Sequence, residues 1–192
     1  MRHNTIAKWV FVIAAFALVA AVPGAALRRV GAGGAIGFAF PAAAFDNDAK
    51  TAPIVTAKLS CQLFHWLAFE GGADYHLNHN TENKNTGLGA TRIFAYRAGL
   101  AYKVDMGVFK PYLAAGAAYY RERIYERVRE TDEWVDYNKP GFYVGPGLEY
   151  YFDEPFLAWG TLAYDRIFDG ARAEDRDTQF IQLEFGLTYY FF

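Results

Sequence analysis

Histidine is the reactive type that stands out first: His65, and then His76 and His79 beside Asn78 and Asn80. A metal site needs two ligands that converge, but a spacing of three puts His76 and His79 on opposite faces of an extended segment. A hydrolase dyad needs a nucleophile within reach, and the serine to hand, Ser60, belongs to another segment. Cys61 is the only cysteine, so neither an intramolecular disulfide nor a paired-cysteine zinc site can form. Solvated histidines at a rim are the expectation, with no metal, no cofactor and no catalytic residue.

Two charged sets have more to offer. One recurs at alternate positions of apolar segments: Lys58, Glu70, Asp74, Arg97, Lys103, Glu149, Asp165 and Glu184. The other is a run in which Arg121, Arg123, Arg127 and Arg129 interleave with Glu122, Glu126, Glu130, Asp132 and Glu133, accompanied by Tyr125, Trp134 and Tyr137. Mixed charge of that kind reads first as a solvated strand extension. Exposed Arg, Tyr and Trp are also the types that dominate binding hot spots, making Arg123, Tyr125, Arg127, Arg129 and Trp134 the recognition candidates.

The elements that must position these side chains follow from period-two alternation. Eight segments are expected near residues 28–40, 52–63, 67–78, 92–104, 108–122, 140–152, 156–168 and 178–192. Short turns near 64–66, 105–107 and 153–155 alternate with long connections over 41–51, 79–91, 123–139 and 169–177. That order is the mark of an all-β, eight-stranded antiparallel up-and-down barrel, with turns on one rim and loops on the other. One face of each segment is bulky and apolar, such as Phe94, Tyr96, Leu100 and Tyr102. The other carries glycine, alanine and the alternating charges. A soluble barrel hides its apolar face inside, whereas a membrane barrel turns it to lipid. Small residues suit the tight interior of eight strands, so the expectation is bulk outside and smallness inside. The first charged set then shares one lumen, where Lys58 and Arg97 are expected to bridge carboxylates such as Glu70, Glu149 and Glu184. Phe64, Trp66, Tyr102, Phe109, Phe152, Phe156, Tyr189 and Phe191 fall near the turn side, as an aromatic girdle would.

The N-terminus sets the compartment. Arg2 and Lys8 precede an uncharged run from Trp9 to Val22, then Pro23, Gly24, Ala25 and Ala26. That is the pattern of a secretory signal peptide over residues 1–26, leaving a barrel domain over 27–192. The run is too short to span a bilayer as a helix. Its removal takes away two basic residues and no acidic one, so the formal charge falls from −2 to −4. With no concentration of Lys and Arg on one basic stretch, nucleic acid is not an expected partner.

The opening RRVGAGGAIGFAFP, the middle FKPYLAAGAAYY, the later GFYVGPGLEYYF followed by LAWGTLAYDRI, and the ending LTYYFF resemble the eight-stranded outer-membrane barrels. These include the transmembrane domain of outer membrane protein A and the opacity-type surface proteins. The resemblance covers nearly all of the chain after residue 26. It implies a bacterial outer-membrane location, with both termini and the short turns periplasmic and the long loops extracellular. A final aromatic residue of the lipid-facing set, in this family a signal to the barrel-assembly machinery, is implied near Phe191, with Phe192 as an extra residue. No His-x-Ser arrangement resembles the lipid A-modifying barrels, and no peptidoglycan-binding tail follows, so no cell-wall tether is implied. The expected protein is a non-enzymatic monomer with a structural or surface role: envelope integrity, or adhesion through its loops. Its expected partners are outer-membrane lipid, lipopolysaccharide phosphate met by the arginines, and an unidentified surface ligand. A narrow ion or small-solute channel is the first alternative and a lipid A-modifying enzyme the second. Eight strands leave an interior that side chains can fill, which argues against a general diffusion porin.

Overall fold

The computed structural model describes residues 29–42, 50–80, 90–128, 131–153, 155–168 and 178–191. The expected signal peptide lies outside them. The strands are β1 (Arg29–Ala42), β2 (Ala52–Phe64), β3 (Leu67–Asn80), β4 (Ala90–Lys103), β5 (Phe109–Val128), β6 (Thr131–Asp153), β7 (Phe156–Ile167) and β8 (Thr178–Tyr190). Each pairs antiparallel with its sequence neighbour. β1 pairs with β8 from Gly31↔Tyr190 to Ala42↔Gln179, which closes the barrel. Closure is what lets strands cross a hydrocarbon layer, since each backbone N–H and C=O then meets a partner strand and no edge remains. The shortest strand has 12 residues, enough for the roughly 9–11 that a tilted strand needs to span the apolar layer.

The alternation sorts the faces as the sequence suggests. Ile36, Leu59, Leu100, Leu113, Leu162 and Phe185 stand exposed on the outside, while their strand neighbours are buried or half-buried inside. At the short-turn rim the aromatic residues form a chain of ring contacts. Phe64 stacks on Trp66 with centroids 5.4 Å apart, and Trp66 meets Tyr102 at 5.8 Å. Phe109 meets Tyr150 at 5.0 Å; Phe152 and Phe156 lie 6.5 Å apart; Tyr189 bridges Phe156 at 5.0 Å and Phe191 at 5.2 Å. Phe191 remains on the outer face, its N–H bonded to the Val30 carbonyl at 2.8 Å, and Phe192 lies outside the described residues. The β4–β5 turn is tight because Gly107 adopts a φ of +78° while Asp105 Oδ1 accepts its N–H at 3.2 Å.

Two expectations need correction. The long connection expected over 123–139 is mostly strand: β5 runs on to Val128 and β6 begins at Thr131, paired down to Val128↔Thr131. β7 first meets β6 at Gly141, and β4 reaches β5 only as far as Thr91↔Ile124. Residues 131–140 therefore run beyond β7, and the hairpin over 125–134 runs beyond both neighbours. The mixed charges there sit on alternating faces of a ribbon, where cross-strand pairing stabilises them without a hydrophobic core.

The interior is also not uniformly small. Tyr112, Tyr120, Tyr143, Trp159, Phe180 and Tyr190 are buried inside. They fit because inward glycines make room for several of them. A Cβ on Gly186 would come 2.7 Å from the Trp159 ring, one on Gly141 2.7 Å from Tyr120, one on Gly31 2.9 Å from Tyr190, and one on Gly147 would overlap the Tyr112 ring. Trp159↔Gly186, Tyr112↔Gly147 and Gly31↔Tyr190 are register partners. Large therefore faces small across the ladder, which fills a strongly curved wall at native packing density.

Candidate functional site

The eight alternating charges share one lumen and divide into two clusters. At the centre, the β4 alternation aims Arg97 inward, where it is pinned by three strands. Nε meets Asp74 Oδ2 at 2.6 Å, Nη2 meets Asp165 Oδ1 at 3.0 Å and Nη1 meets Glu184 Oε1 at 3.2 Å. The guanidinium also lies 5.3 Å from the Tyr143 ring centroid. Thr56 Oγ1 donates to Glu184 at 3.0 Å, and Tyr120 donates to Asp165. Towards the short-turn rim, Lys58 meets Glu70 at 2.9 Å and stacks over Trp159 at 4.3 Å, while Lys103 meets Glu149 at 2.6 Å. Glu70 sits between the two lysines, with Lys103 4.0 Å away.

This arrangement suits what a low-dielectric interior demands. Burying a charge costs several kcal/mol unless it is paired and hydrogen-bonded, and here each cation has a carboxylate in contact. Arginine suits the centre because its five N–H donors lie in a fixed fork that serves several acceptors at once. A cavity between the two clusters has a volume of about 60 Å³, lined among others by Lys58, Glu70, Arg97, Tyr112, Tyr143 and Thr161. A water needs roughly 10–15 Å³ by this measure, so the space suits a few waters and no solute.

The histidines depart from expectation. His65 is exposed in the β2–β3 turn, but His76 and His79 are both fully buried at the opposite end of the lumen, with Phe180 against both rings. The spacing argument failed because β3 carries a register irregularity between His76 and His79, which brings both side chains to the inner face. Their ring nitrogens, His76 Nδ1 and His79 Nε2, lie 3.3 Å apart. The direction of the chain is set from Arg97, which can only donate, so Gln182 Oε1 accepts from it. The Gln182 amide nitrogen then donates to His76 Nε2 at 3.2 Å, His76 Nδ1 donates to His79 Nε2, and His79 Nδ1 donates to the Lys50 carbonyl at 2.8 Å. Both rings are thus neutral Nδ1–H tautomers with both nitrogens engaged. Among the described residues no group of three or more His, Cys, Asp or Glu converges as a metal site would. Ser60, the one nucleophile considered, lies 3.5 Å from the Tyr190 hydroxyl.

Alternation places Tyr143 and Gln182 on the inward face of their segments without assigning them a role, while Tyr120 and Trp159 were missed in the sequence as lumen residues. Their signal was present, since each sits in phase with a charge two or more residues away on its strand. A closed barrel with a polar interior and an apolar outer band is the architecture of a transmembrane β-barrel. The outer membrane protein beta-barrel domain matches residues 10–191 of this chain. The chain belongs to that family. Its place is the bacterial outer membrane.

Among solved structures, neisserial surface protein A superposes with a TM-score of 0.65 at 14% identity, covering 83% of this chain and 96% of that one. The N-terminal barrel domain of Pseudomonas aeruginosa OprF gives 0.56 at 16% identity, with 86% and 99% covered. Ail, the attachment invasion locus protein of Yersinia pestis, gives 0.54 at 13% identity, with 85% and 97% covered. At these identities the likeness is one of fold. No curated protein matches the sequence.

The rest of the candidate site lies on the outside of this family member, at the long-hairpin rim. Arg123 and Trp134 stand on the β5–β6 ribbon. Asp136 joins two arginines, accepting from Arg121 Nη2 at 2.6 Å on one oxygen and from Arg123 Nε at 3.2 Å on the other. The Arg121 hydrogen bond holds the Asp136 carboxyl below its usual range. Arg92 of β4 stacks on the Trp134 ring at 4.9 Å, and Arg123 lies 6.0 Å from it. Tyr125 and Arg127 lie in β5 opposite Trp134 and Asp132, their side chains outside the described set. Arg129 lies outside the described residues altogether.

Proposed function

We propose that this barrel is a non-enzymatic, plugged outer-membrane protein that acts through the rim bearing the β5–β6 hairpin, with that rim extracellular and both termini periplasmic. The observation that carries the reading is the contrast between the two ends of the design. The lumen is filled with paired charges and a cavity of about 60 Å³, while the β5–β6 ladder continues past both neighbouring strands to Val128↔Thr131. A wall that conducts nothing but holds a long, charged, aromatic ribbon clear of the membrane suits a structural or surface-interaction role. Arg123, Tyr125, Arg127, Arg129 and Trp134 are its proposed contact residues, and the lumen pairs are the scaffold that holds the wall. The engaged ring nitrogens of His76 and His79 support the absence of catalysis. Tyr189 and Phe191 are the proposed signal read by the barrel-assembly machinery, and the closed, lipid-facing wall suits a monomer.

A second reading has one observation in its favour. Among the described residues six buried carboxylates, Glu70, Asp74, Glu122, Glu149, Asp165 and Glu184, face four cations, Lys58, Arg97, Lys103 and Lys139, on the inner side, and an excess of carboxylate favours cations in a pore. Planar-bilayer recording on the purified full chain separates the two. The plug reading expects no discrete current steps. Cation-selective steps that vanish in Glu149→Gln would replace it with the channel.

A further inference from the structure

The hydrogen-bond chain through the two buried histidines ties together four parts of the barrel at its long-hairpin end. These are Arg97 on β4, Gln182 on β8, His76 and His79 on β3, and residue 50 just ahead of β2. Each of the four links already holds one proton. Arg97 donates at one end, the Lys50 carbonyl accepts at the other, and between them each residue accepts once and donates once along the chain. A further proton on either ring therefore sets two donors face to face, His76 against the Gln182 amide or His76 against His79 at 3.3 Å. Turning the Gln182 amide over only moves the conflict to Arg97.

The surroundings do not favour a charge there either. Phe180 of β8 lies against both rings, and Ile54 of β2 and Ile93 of β4 are the register partners of His76. The carboxylates of the neighbouring elements are engaged elsewhere. Asp74, two residues deeper on β3, Asp165 on β7 and Glu184 on β8 hold Arg97, and Glu122 on β5 holds Lys139 of β6 at 2.8 Å. Lys58 of β2 is held by Glu70 further down the lumen. Arg97, at the end of the chain, repels a second positive charge. The strand itself supplies an outlet. His79 points inward because of the irregularity between His76 and His79, and regular alternation from His76 would turn it outward at the end of β3, where an imidazolium is hydrated. Asn78, polar and uncharged, would then take the inward position.

We propose that His76 and His79 form an acid-sensitive latch on the long-hairpin end of the lumen: proton uptake breaks the chain from Arg97 to Lys50, undoes the irregularity in β3 and swings His79 out to the rim. The unlatched state holds a proton for which the latched state has no place. Its share is therefore constant above about pH 6.5, where a free imidazole is neutral, and rises about tenfold for each pH unit below it. With the chain broken, water enters the lumen from this end as far as Arg97. The latch goes beyond the plug reading, which it leaves unchanged at neutral pH, and it works whichever rim faces outward.

The test uses the purified full chain in phosphatidylcholine nanodiscs at about pH 7.5 and about pH 5, either side of the value for a free imidazole. Amide exchange over residues 74–80 and 178–184, corrected for intrinsic rates, is read by mass spectrometry. Exchange in wild type should be at least tenfold faster at the lower pH. His65→Gln, in the exposed β2–β3 turn, should respond as wild type does. The His76→Phe, His79→Phe double variant fills the same space with rings that take up no proton and should show no pH effect. Equal exchange at both pH values in wild type overturns the proposal. Equal acceleration in the double variant also overturns it, moving the response to a carboxylate such as Glu122 or Asp74. Heat-shifted gel migration establishes that the double variant is folded. A second measurement needs no variant: nitrogen NMR of the wild-type imidazoles should show two Nδ1–H tautomers at the higher pH, and a second set of β3 amide signals should grow in as His79 charges. Charging of the rings with a single, unmoved set of β3 amide signals overturns the latch.

Discussion

Arg97 is the residue on which the interior depends. It holds Asp74, Asp165 and Glu184 from three different strands, so its removal leaves three buried carboxylates facing one another without a cation. Breaking a buried ion pair from one side costs about 3–5 kcal/mol, more than the pair itself contributes over a hydrophobic replacement. Arg97→Ala should therefore lower unfolding stability by about that much in urea titrations of the vesicle-inserted protein, whereas Arg166→Ala on the outer face should change it by less than about 1 kcal/mol. Equal effects would mean that the lumen is hydrated enough to screen the carboxylates. The histidines illustrate a different lesson at the same scale. Their spacing in sequence argued for opposite faces, and a single irregularity in β3 put both inside.

At the scale of the element, the pairing of inward glycine with inward aromatic sets where the wall can curve. Gly186 lies in register with Trp159, and an added Cβ would come 2.5 Å from the Gly34 carbonyl oxygen and 2.7 Å from that ring. Gly186→Ala should destabilise the barrel by about 1–3 kcal/mol through overpacking. The double change with Trp159→Phe should recover the ring's share of that loss, and no recovery in the same urea titration would place the clash on the Gly34 carbonyl instead of the ring. Where β6 runs beyond β7, the hairpin relies on cross-strand pairs such as Arg121 to Asp136 at its base, where β5 still pairs with β4. Arg121 holds the Asp136 carboxyl below its ordinary range. The sign follows: this pair stabilises the ribbon above the unfolded carboxylate pKa of about 4, and the contribution fades as pH falls through the depressed folded value. Exposure keeps the effect small. Amide exchange in the ribbon should be flat from about pH 7 to 5 after correction for intrinsic rates, and ordering should weaken only below about pH 4. Asp136→Asn should remove that dependence.

For the whole molecule, closure through β1 and β8 is the decisive contact. It removes every sheet edge from the barrel wall and makes unfolding an all-or-none event in a membrane, because a strand that leaves exposes unpaired backbone to hydrocarbon. Unboiled protein from the outer-membrane fraction should therefore migrate differently from boiled protein on a detergent gel. Identical migration would mean that the barrel is not closed in the membrane. Alternation of side chains dictated the strand count, the two faces and the inward charges such as Arg97 and Glu184, because a period of two is local and survives any error in boundaries. The resemblance of the strand motifs pointed to the same membrane. Ion-pair partners, the course of β5 and β6 beyond the rim, the glycine gaps that seat the inward aromatics and the burial of His76 and His79 were decided only by tertiary structure. Each depends on the register between strands distant in sequence and on bulges within one strand. A shift of one residue there moves a side chain to the other side of the wall.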